Sequence, residues 1–323
     1  MKKTYFITGG TGSFGKKFIT YLYEKNLAKK IVIFSRDEHK QLEFKNSIPD
    51  NKINMFRFFL GDVRDKERLK WAINDDVDVL VHAAALKQIP ATEYNPYETV
   101  KTNILGTQNI IEIAIRNKVK KVMLVSTDKA VSPINLYGST KLTAEKLFIS
   151  ANIFKGKSKT LFSVARYGNV MGSRGSVIPI FLKQEKIQDF FTVTDDRMTR
   201  FTITLHDAVS FVHQCIGDMK GSEIFIPKLK SYKITELAKA INPKKKIKVI
   251  GIRNGEKLHE ELMNTFEASY AKNYKGDYVI LPNDNSKKIT HNKLSYNSLD
   301  QGDFLNAKDL TKIIKLNIDD FEK

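Results

Sequence analysis

Apolar runs of strand length alternate with amphipathic stretches of helical length through the first half of this chain. Thr4-Tyr5-Phe6-Ile7-Thr8 reads as a buried strand and Phe14 to Tyr23 as the helix after it. Ile31-Val32-Ile33-Phe34 predicts a second strand and Asn54 to Leu60 a third. Val77 to His82 and Lys121 to Ser126 follow, each set apart by a helical pattern. Strands that are apolar at nearly every position are buried on both faces, so with helices between them they predict a parallel sheet covered on both sides. The fold class is α/β, a doubly wound parallel sheet of the Rossmann type, whose ligands belong at the carboxyl ends of the strands. Leu161 to Tyr167 reads as one more strand. Beyond about Gly168 the segments shorten, and glycine and proline punctuate them more often. The expected organisation is a first domain over 1–170, with some later segments returning to it. A smaller C-terminal substrate-binding lobe over 171–282 follows, and then a polar extension over 283–323 with one late helix near Leu310.

The chain has 323 residues, of which 41% are hydrophobic and 28% charged. A chain of this length buries about three-quarters of its unfolded surface without staples. That excludes a disulfide mini-protein, a collagen-like fibre and a disordered chain. A single cysteine, Cys215, excludes an intrachain disulfide and a cysteine-based zinc site, and fits a reducing compartment. No metal is expected. Met1-Lys2-Lys3 starts as a signal peptide does, but Thr8-Gly9-Gly10-Thr11-Gly12 cuts the apolar run short. No stretch approaches the ~20 apolar residues of a membrane span. A soluble cytoplasmic protein with no membrane partner is expected.

Fifty-four basic residues against 36 acidic ones give a net charge of +18. Such a balance points either to nucleic acid or to a lysine-rich surface that also serves anionic small molecules. The lysines are scattered, and the densest run, Lys244-Lys245-Lys246-Ile247-Lys248, is short and has no interleaved aromatics. No helix-turn-helix or zinc-finger pattern accompanies it, so no nucleic-acid partner is expected.

Thr8-Gly9-Gly10-Thr11-Gly12-Ser13-Phe14-Gly15 stands between the first strand and the first helix. Gly9 allows the tight turn, Gly12 lets backbone approach a pyrophosphate, and Gly15 permits close helix–strand contact. The helix N-terminus adds N–H donors and the positive end of its dipole. A dinucleotide site follows. At the end of the second strand stand Ser35 and Arg36, with Asp37 and Glu38 just after. A hydroxyl and a guanidinium suit a ribose 2′-phosphate, so the expected cofactor is NADP; the other reading has Asp37 serving NAD. Asp62 and Val63 after the third strand fit an adenine-contacting turn, and Ala83, Ala84 and Ala85 after the fourth let the cofactor pass close.

Tyr137 and Lys141 are four apart at the start of a helical pattern and share a face. A phenol titrates near 10, and a neighbouring ammonium favours its phenolate, each unit of depression being about 1.4 kcal/mol. The pair lies shortly after a strand ending in Ser126-Thr127, where an active site belongs.

These features resemble the extended short-chain dehydrogenase/reductase family, which acts largely on nucleotide sugars. Longer stretches are similar, more specifically, to the inverting UDP-N-acetylglucosamine 4,6-dehydratases: Ser126 to Ala130, Asn135 to Lys141, Arg166 to Val170, Gly172 to Val177, Arg197 to Phe201 and Gly251 to Glu260. The resemblance runs from about Lys3 to Leu281. It implies that Tyr137, helped by Lys141, takes the C4 hydroxyl proton while hydride passes to NADP, with Thr127 positioning the hydroxyl. The C4 ketone makes the C5 proton acidic. The resemblance then assigns Lys129 to remove that proton and Asp128 to protonate the departing C6 hydroxyl. Hydride returns to C6, and reprotonation of C5 from the other face inverts it. Implied substrate contacts are Lys87 (also beside the cofactor), Asn169, Arg174, Thr199, Arg253 and Glu256, the arginines suiting diphosphate. The implied partner is UDP-N-acetylglucosamine, the product feeds pseudaminic acid or a related surface sugar, and a homo-oligomer, a hexamer among the options, is implied too.

Gln88, Thr202 and Asn254 depart from the family pattern, which has His, Trp and Pro or Ala there; they bear on substrate choice rather than on catalytic groups. Tyr137 argues against the related capsule-sugar branch, which lacks it. Two other readings stay open: another extended family member, such as a 4-epimerase or a retaining dehydratase, and a non-catalytic NADP-sensing protein. Asp128-Lys129 weighs against the first, the retained Tyr137 and Lys141 against the second.

Overall fold

A computed structural model describes residues 2–74, 76–173, 175–281 and 295–318. Six parallel strands form the heart of the molecule: β1 (Lys3–Thr8), β2 (Ala28–Ser35), β3 (Phe56–Leu60), β4 (Val79–His82), β5 (Lys121–Thr127) and β6 (Leu161–Tyr167). They lie in the order β3-β2-β1-β4-β5-β6. Strand order reverses between β1 and β4, and there the crevice for a ligand opens. The apolar runs are buried as their lack of alternation requires; all four residues of β4 and five of the six in β1 are hidden. The sheet then continues with later chain. Ile224–Ile226 pairs parallel with β6, and Asp277–Ile280 and Ala271–Tyr274 add two antiparallel strands at the edge.

Helix α1 (Ser13–Glu24) buries Gly15, Phe18, Ile19 and Leu22, the spacing of one helical face. Gly15 is required by the turn itself rather than by a strand: a Cβ there would lie 2.4 Å from the Gly9 carbonyl oxygen. The helix Leu136–Phe154 starts at Asn135, whose side chain accepts from the Gly138 N–H at 2.8 Å. A Cβ on Gly138 would lie 2.2 Å from the Lys129 carbonyl oxygen, so this glycine lets the helix seat against the turn that follows β5.

A second apolar cluster gathers the lobe beyond β6, with Phe181, Phe191, Leu237, Leu310 and Ile314 at its centre. The tail read as a polar surface extension is stitched into this body over 295–318. Tyr296 accepts from the Leu229 N–H at 2.7 Å and donates to the Leu229 carbonyl at 3.0 Å. Leu310 and Ile314 on the helix Ala307–Leu316 pack against the helix Ile234–Ile241. Average polarity hid a few apolar positions at helical spacing. The remaining parts of the extension, 283–294 and 319–323, lie outside the described residues.

Among the described residues, no helix is long and apolar enough to cross a membrane, and no cluster of His, Cys, Asp and Glu is arranged to hold a metal.

Candidate active site

Two cavities open at the carboxyl ends of the strands. The larger, about 670 Å³, is a groove lined by Gly9, Thr11, Gly12, Ser35, Arg36, Asp62, Val63 and Ala83 to Ala85. These belong to the expected cofactor residues, drawn together from four strand ends; Thr8, Ser13, Phe14, Gly15, Lys87, Tyr137 and Lys141 do not line the groove. Gly9 turns the chain at φ +66°, where a Cβ would lie 2.9 Å from the Ala84 nitrogen. Gly12 begins α1 without a side-chain cap, so the N–H groups of its first turn, at Ser13, Phe14 and Gly15, remain as donors. Thr8 supports the floor from behind. Its buried hydroxyl lies 2.8 Å from His82 Nδ1 and accepts from the Ala83 and Ala84 N–H groups. The His82 ring reaches Thr107 at 3.1 Å, and burial together with the Lys141 charge pushes its pKa down to about 3.

The groove's polar end holds the residues whose chemistry bears on a ribose 2′-hydroxyl or 2′-phosphate. The Asp37 carboxylate accepts from the Lys40 N–H at 3.0 Å and meets Lys40 Nζ at 2.5 Å, which holds it below the usual carboxylate range. Arg36 is half-exposed and only 3.5 Å from Asp62, whose carboxylate is mainly engaged by Arg64 at 2.7 Å. Ser35 is buried and accepts from Gln41 at 2.9 Å. Lys40 and Thr102 also line the groove, and the buried Thr102 hydroxyl has no hydrogen-bond partner. Sequence reasoning missed both.

The smaller cavity, about 240 Å³, lies between the sheet and the second lobe. Lys129 enters it from the turn after β5, Asn169 from beyond β6, and Arg253, Glu256 and Glu260 from the far lobe. Lys129 Nζ sits 3.0 Å from Asp128 Oδ1 and 3.1 Å from Glu260 Oε1. Asp128 is fully buried, and the Thr127 hydroxyl donates to its Oδ1 at 2.9 Å. Burial raises the Asp128 pKa against the pull of Lys129, with Glu260 adding to the rise. The two carboxylates outweigh burial at Lys129 and hold its ammonium. Arg200 approaches Glu260 at 3.8 Å, and Lys129 and Arg200 keep that carboxylate low. Asp128 Oδ2, Glu260 Oε2 and Asn169 Oδ1 are buried without hydrogen-bond partners.

Tyr137 is buried beside this group and hydrogen-bonded to Thr127; burial pushes its pKa up to about 12, with the Lys129 charge opposing. Lys141 shares the helix face, yet its Nζ donates to the Val125 carbonyl at 2.8 Å. The ammonium is therefore turned onto β5, and it is Lys129, not Lys141, whose charge favours the Tyr137 phenolate in this arrangement. Burial pushes Lys141 down to about 8, opposed by Glu145.

Other expected contacts fall elsewhere. Thr199 is fully buried with its hydroxyl between His259 Nδ1 at 2.8 Å and Ser298 at 2.7 Å, so it holds the lobe together and lines neither cavity. Lys87 is exposed and lines neither cavity. Arg174 lies outside the described residues. Of the three departures, Gln88 packs under Gly175, Thr202 is buried across from Asn169 with its hydroxyl unpartnered, and Asn254 is exposed.

Beneath the site, Arg166 of β6 is wholly buried. It bonds Glu145 at 2.5 and 3.0 Å and Glu267 at 2.8 and 2.9 Å, while the Ser126 hydroxyl donates to Glu145 at 2.5 Å. One guanidinium thus ties β6 to the Tyr137 helix and to the segment around Glu267.

The family model for polysaccharide biosynthesis proteins matches residues 5–282. The UDP-N-acetylglucosamine 4,6-dehydratase (inverting) of Campylobacter jejuni subsp. jejuni serotype O:23/36 (strain 81-176) is 50% identical over 281 residues, covering 87% of this chain and 83% of that protein. A UDP-glucose 4-epimerase of Rickettsia bellii (strain OSU 85-389) is 44% identical over 289 residues, again with 87% and 83% covered. The X-ray structure of Pen from Bacillus thuringiensis matches with a TM-score of 0.89 at 38% identity, over 98% of both chains. A groove at the strand-order reversal, a charged cavity beside it and these matches agree: the chain belongs to the polysaccharide biosynthesis protein family.

Proposed function

We propose that this protein is an inverting UDP-N-acetylglucosamine 4,6-dehydratase that uses NADP. One observation carries the reading: Asp128, Lys129 and Tyr137 converge on one end of the sheet, so groups for proton transfer at C4, C5 and C6 stand together. A 4-epimerase, the activity named for the Rickettsia relative, needs proton and hydride transfer only at C4 and gives an acid–base pair at C5 and C6 nothing to do.

The groove fits a nicotinamide dinucleotide phosphate. Its turn leaves no room for a Cβ at Gly9, its helix start keeps free donors, and Arg36 and Lys40 face a position where Asp37 is already tied by Lys40. That preference supports NADP over NAD. Bound there, the group supplies reversible hydride acceptance, from sugar C4 and then back to C6.

The chain's own residues move the protons. Tyr137, with Thr127 at its phenol, takes the C4 hydroxyl proton, and Lys141 holds a positive charge one helical turn along. With C4 a ketone, Lys129 takes the C5 proton and Asp128 protonates the C6 hydroxyl, which leaves as water. Protonation of C5 from the face opposite Lys129 gives UDP-2-acetamido-2,6-dideoxy-β-L-arabino-hex-4-ulose, a precursor suited to pseudaminic acid or a related surface sugar. Arg253 on the cavity rim, and Arg174 by its sequence neighbourhood, suit the diphosphate; Asn169 and Glu256 suit the sugar and uridine. A homo-oligomer is the reading its family resemblance supports, and the cytoplasm is the compartment where its nucleotide substrates are made.

Proton NMR of the protein with UDP-N-acetylglucosamine and catalytic NADP+ in D2O tests the reading. A new 6-deoxy methyl signal with deuterium at C5 and L-ring couplings is expected. A C4 epimer without a methyl signal makes the protein an epimerase, and a methyl signal with D-ring couplings removes the inversion.

A further inference from the structure

Lys129 is flanked by two buried carboxylates, and a simple acid–base pair needs only one. Asp128 comes from the same turn, whereas Glu260 reaches across from the second lobe to 3.1 Å. Glu260 is 3% exposed, and its Oε2 is buried without a partner beside the cavity. The Glu260 backbone is fixed independently, its N–H donating to the Ser298 hydroxyl at 2.9 Å and its carbonyl accepting from the Ser298 N–H at 2.8 Å. Its carboxylate pairs with Lys129 and, at 3.8 Å, with Arg200, while its second oxygen stays unpartnered; burying such a group is costly, which marks the position for a role at the cavity.

We propose that Glu260 is a positioning residue that acts through Lys129: it takes over as counter-ion to the ammonium, so that Asp128 is free to be a neutral acid. The proposal rests on the dehydratase reading. One proton passing from Lys129 Nζ to Asp128 Oδ1, across 3.0 Å, makes the neutral amine and the neutral acid together. The amine lone pair then takes the C5 proton. The C–H pair is first held as the enolate of the C4 ketone; that enolate then forms the C5–C6 double bond, the C6–O bond breaks, and Asp128 gives its proton to the leaving oxygen, which departs as water. At the moment Lys129 becomes an ammonium again, Asp128 is still protonated and cannot balance it. Glu260 can. Without Glu260, the ammonium's remaining neighbour in this group is Asp128, which would be held ionised and lost as an acid. Glu260 is brought beside Lys129 by the strand Glu261–Met263, which packs directly against the turn that carries Asp128 and Lys129.

The test is a single-turnover experiment on full-length wild type, Glu260→Gln and Glu260→Asp, each with stoichiometric NADP+ and UDP-N-acetylglucosamine in D2O. Reduced nicotinamide absorbance reports C4 oxidation, and deuterium at C5 with the methyl signal reports the later steps. In Glu260→Gln, oxidation at C4 is expected to keep its rate within about threefold, with C5 exchange and water loss slowed about 100-fold, so that reduced nicotinamide accumulates. KM is expected to hold, and Glu260→Asp to recover part of the loss. Equal slowing of both stages, or of neither, overturns the proposal. So does loss of folding in both variants, which would make the carboxylate scaffolding. A wild type that reduces no nicotinamide and makes no methyl product overturns the dehydratase reading, and this proposal with it.

Discussion

The cofactor groove and the charged cavity are built in opposite ways. The groove is mostly backbone, shaped by short segments at the ends of neighbouring parallel strands, and each segment carries its own local signature. The cavity is mostly side chains, and its central group joins Asp128 and Lys129 of one turn to Glu260 of another lobe. A groove of that kind tolerates little change at a few glycines and much elsewhere. A cavity of that kind depends on charges that must be balanced between segments far apart in the chain.

The sharpest way to break the contrast is at Arg166, under the cavity. Arg166→Leu leaves Glu145 buried and unpaired, and is expected to cost about 3–5 kcal/mol of unfolding free energy in urea titrations. Replacing Glu145 by Leu as well should recover a good part of that loss. If Arg166→Leu alone is neutral, the Tyr137 helix and the Glu267 segment are not tied to the sheet by this charge group. Next comes Gly15→Ala in the groove, where the new Cβ meets the Gly9 carbonyl oxygen at 2.4 Å. A loss of about 1–3 kcal/mol is expected from overpacking, with weaker NADP binding by calorimetry and no change in the cavity's charge group.

A smaller effect concerns nucleotide choice. Arg36→Ala and Lys40→Ala should each lower NADP affinity about tenfold, as for loss of one hydrogen bond to a charged group, and leave NAD affinity nearly unchanged. Equal loss for both nucleotides would move the 2′-phosphate away from these residues. A last effect is a slope, small within any one pH unit. His82 folds with its pKa near 3 against an ordinary 6.5, so as pH falls the unfolded chain gains the proton first. Its contribution to stability is complete above about pH 6.5 and is lost toward pH 3, at up to about 1.4 kcal/mol per unit. His213 and His259 are also held low and add to the slope. His82→Asn should therefore reduce the pH dependence between 6.5 and 5 by about one proton's worth, measured as unfolding free energy at several pH values; an unchanged slope would mean that His82 takes up its proton in the folded state.

Local signals explain what could be read in advance. The six strands of the first domain are legible because burial on both faces leaves apolar runs with no alternation. The glycine turn is legible because its conformation excludes side chains. The single helical period between Tyr137 and Lys141 was read correctly as one shared face, but the fate of a long flexible side chain was not: Lys141 reaches the Val125 carbonyl instead of the phenol. Thr199 stood in a stretch rich in expected contacts, yet its hydroxyl is consumed by His259 and Ser298. The late helix near Leu310 is expected from the sequence, but its burial is masked by the lysines and asparagines around Leu310 and Ile314.

By itself, then, the sequence determined the parallel sheet, the dinucleotide turn and the identity of the groups at the end of β5, because each of these rests on residues a few positions apart. Tertiary structure alone decided which distant charges meet. Glu260 beside Lys129, Lys40 closing on Asp37 in a groove shared with Arg36, and Arg166 between Glu145 and Glu267 depend on how separate elements pack. Pairing of charges across a fold leaves no period in the chain, since a carboxylate finds its partner only when burial removes water from both.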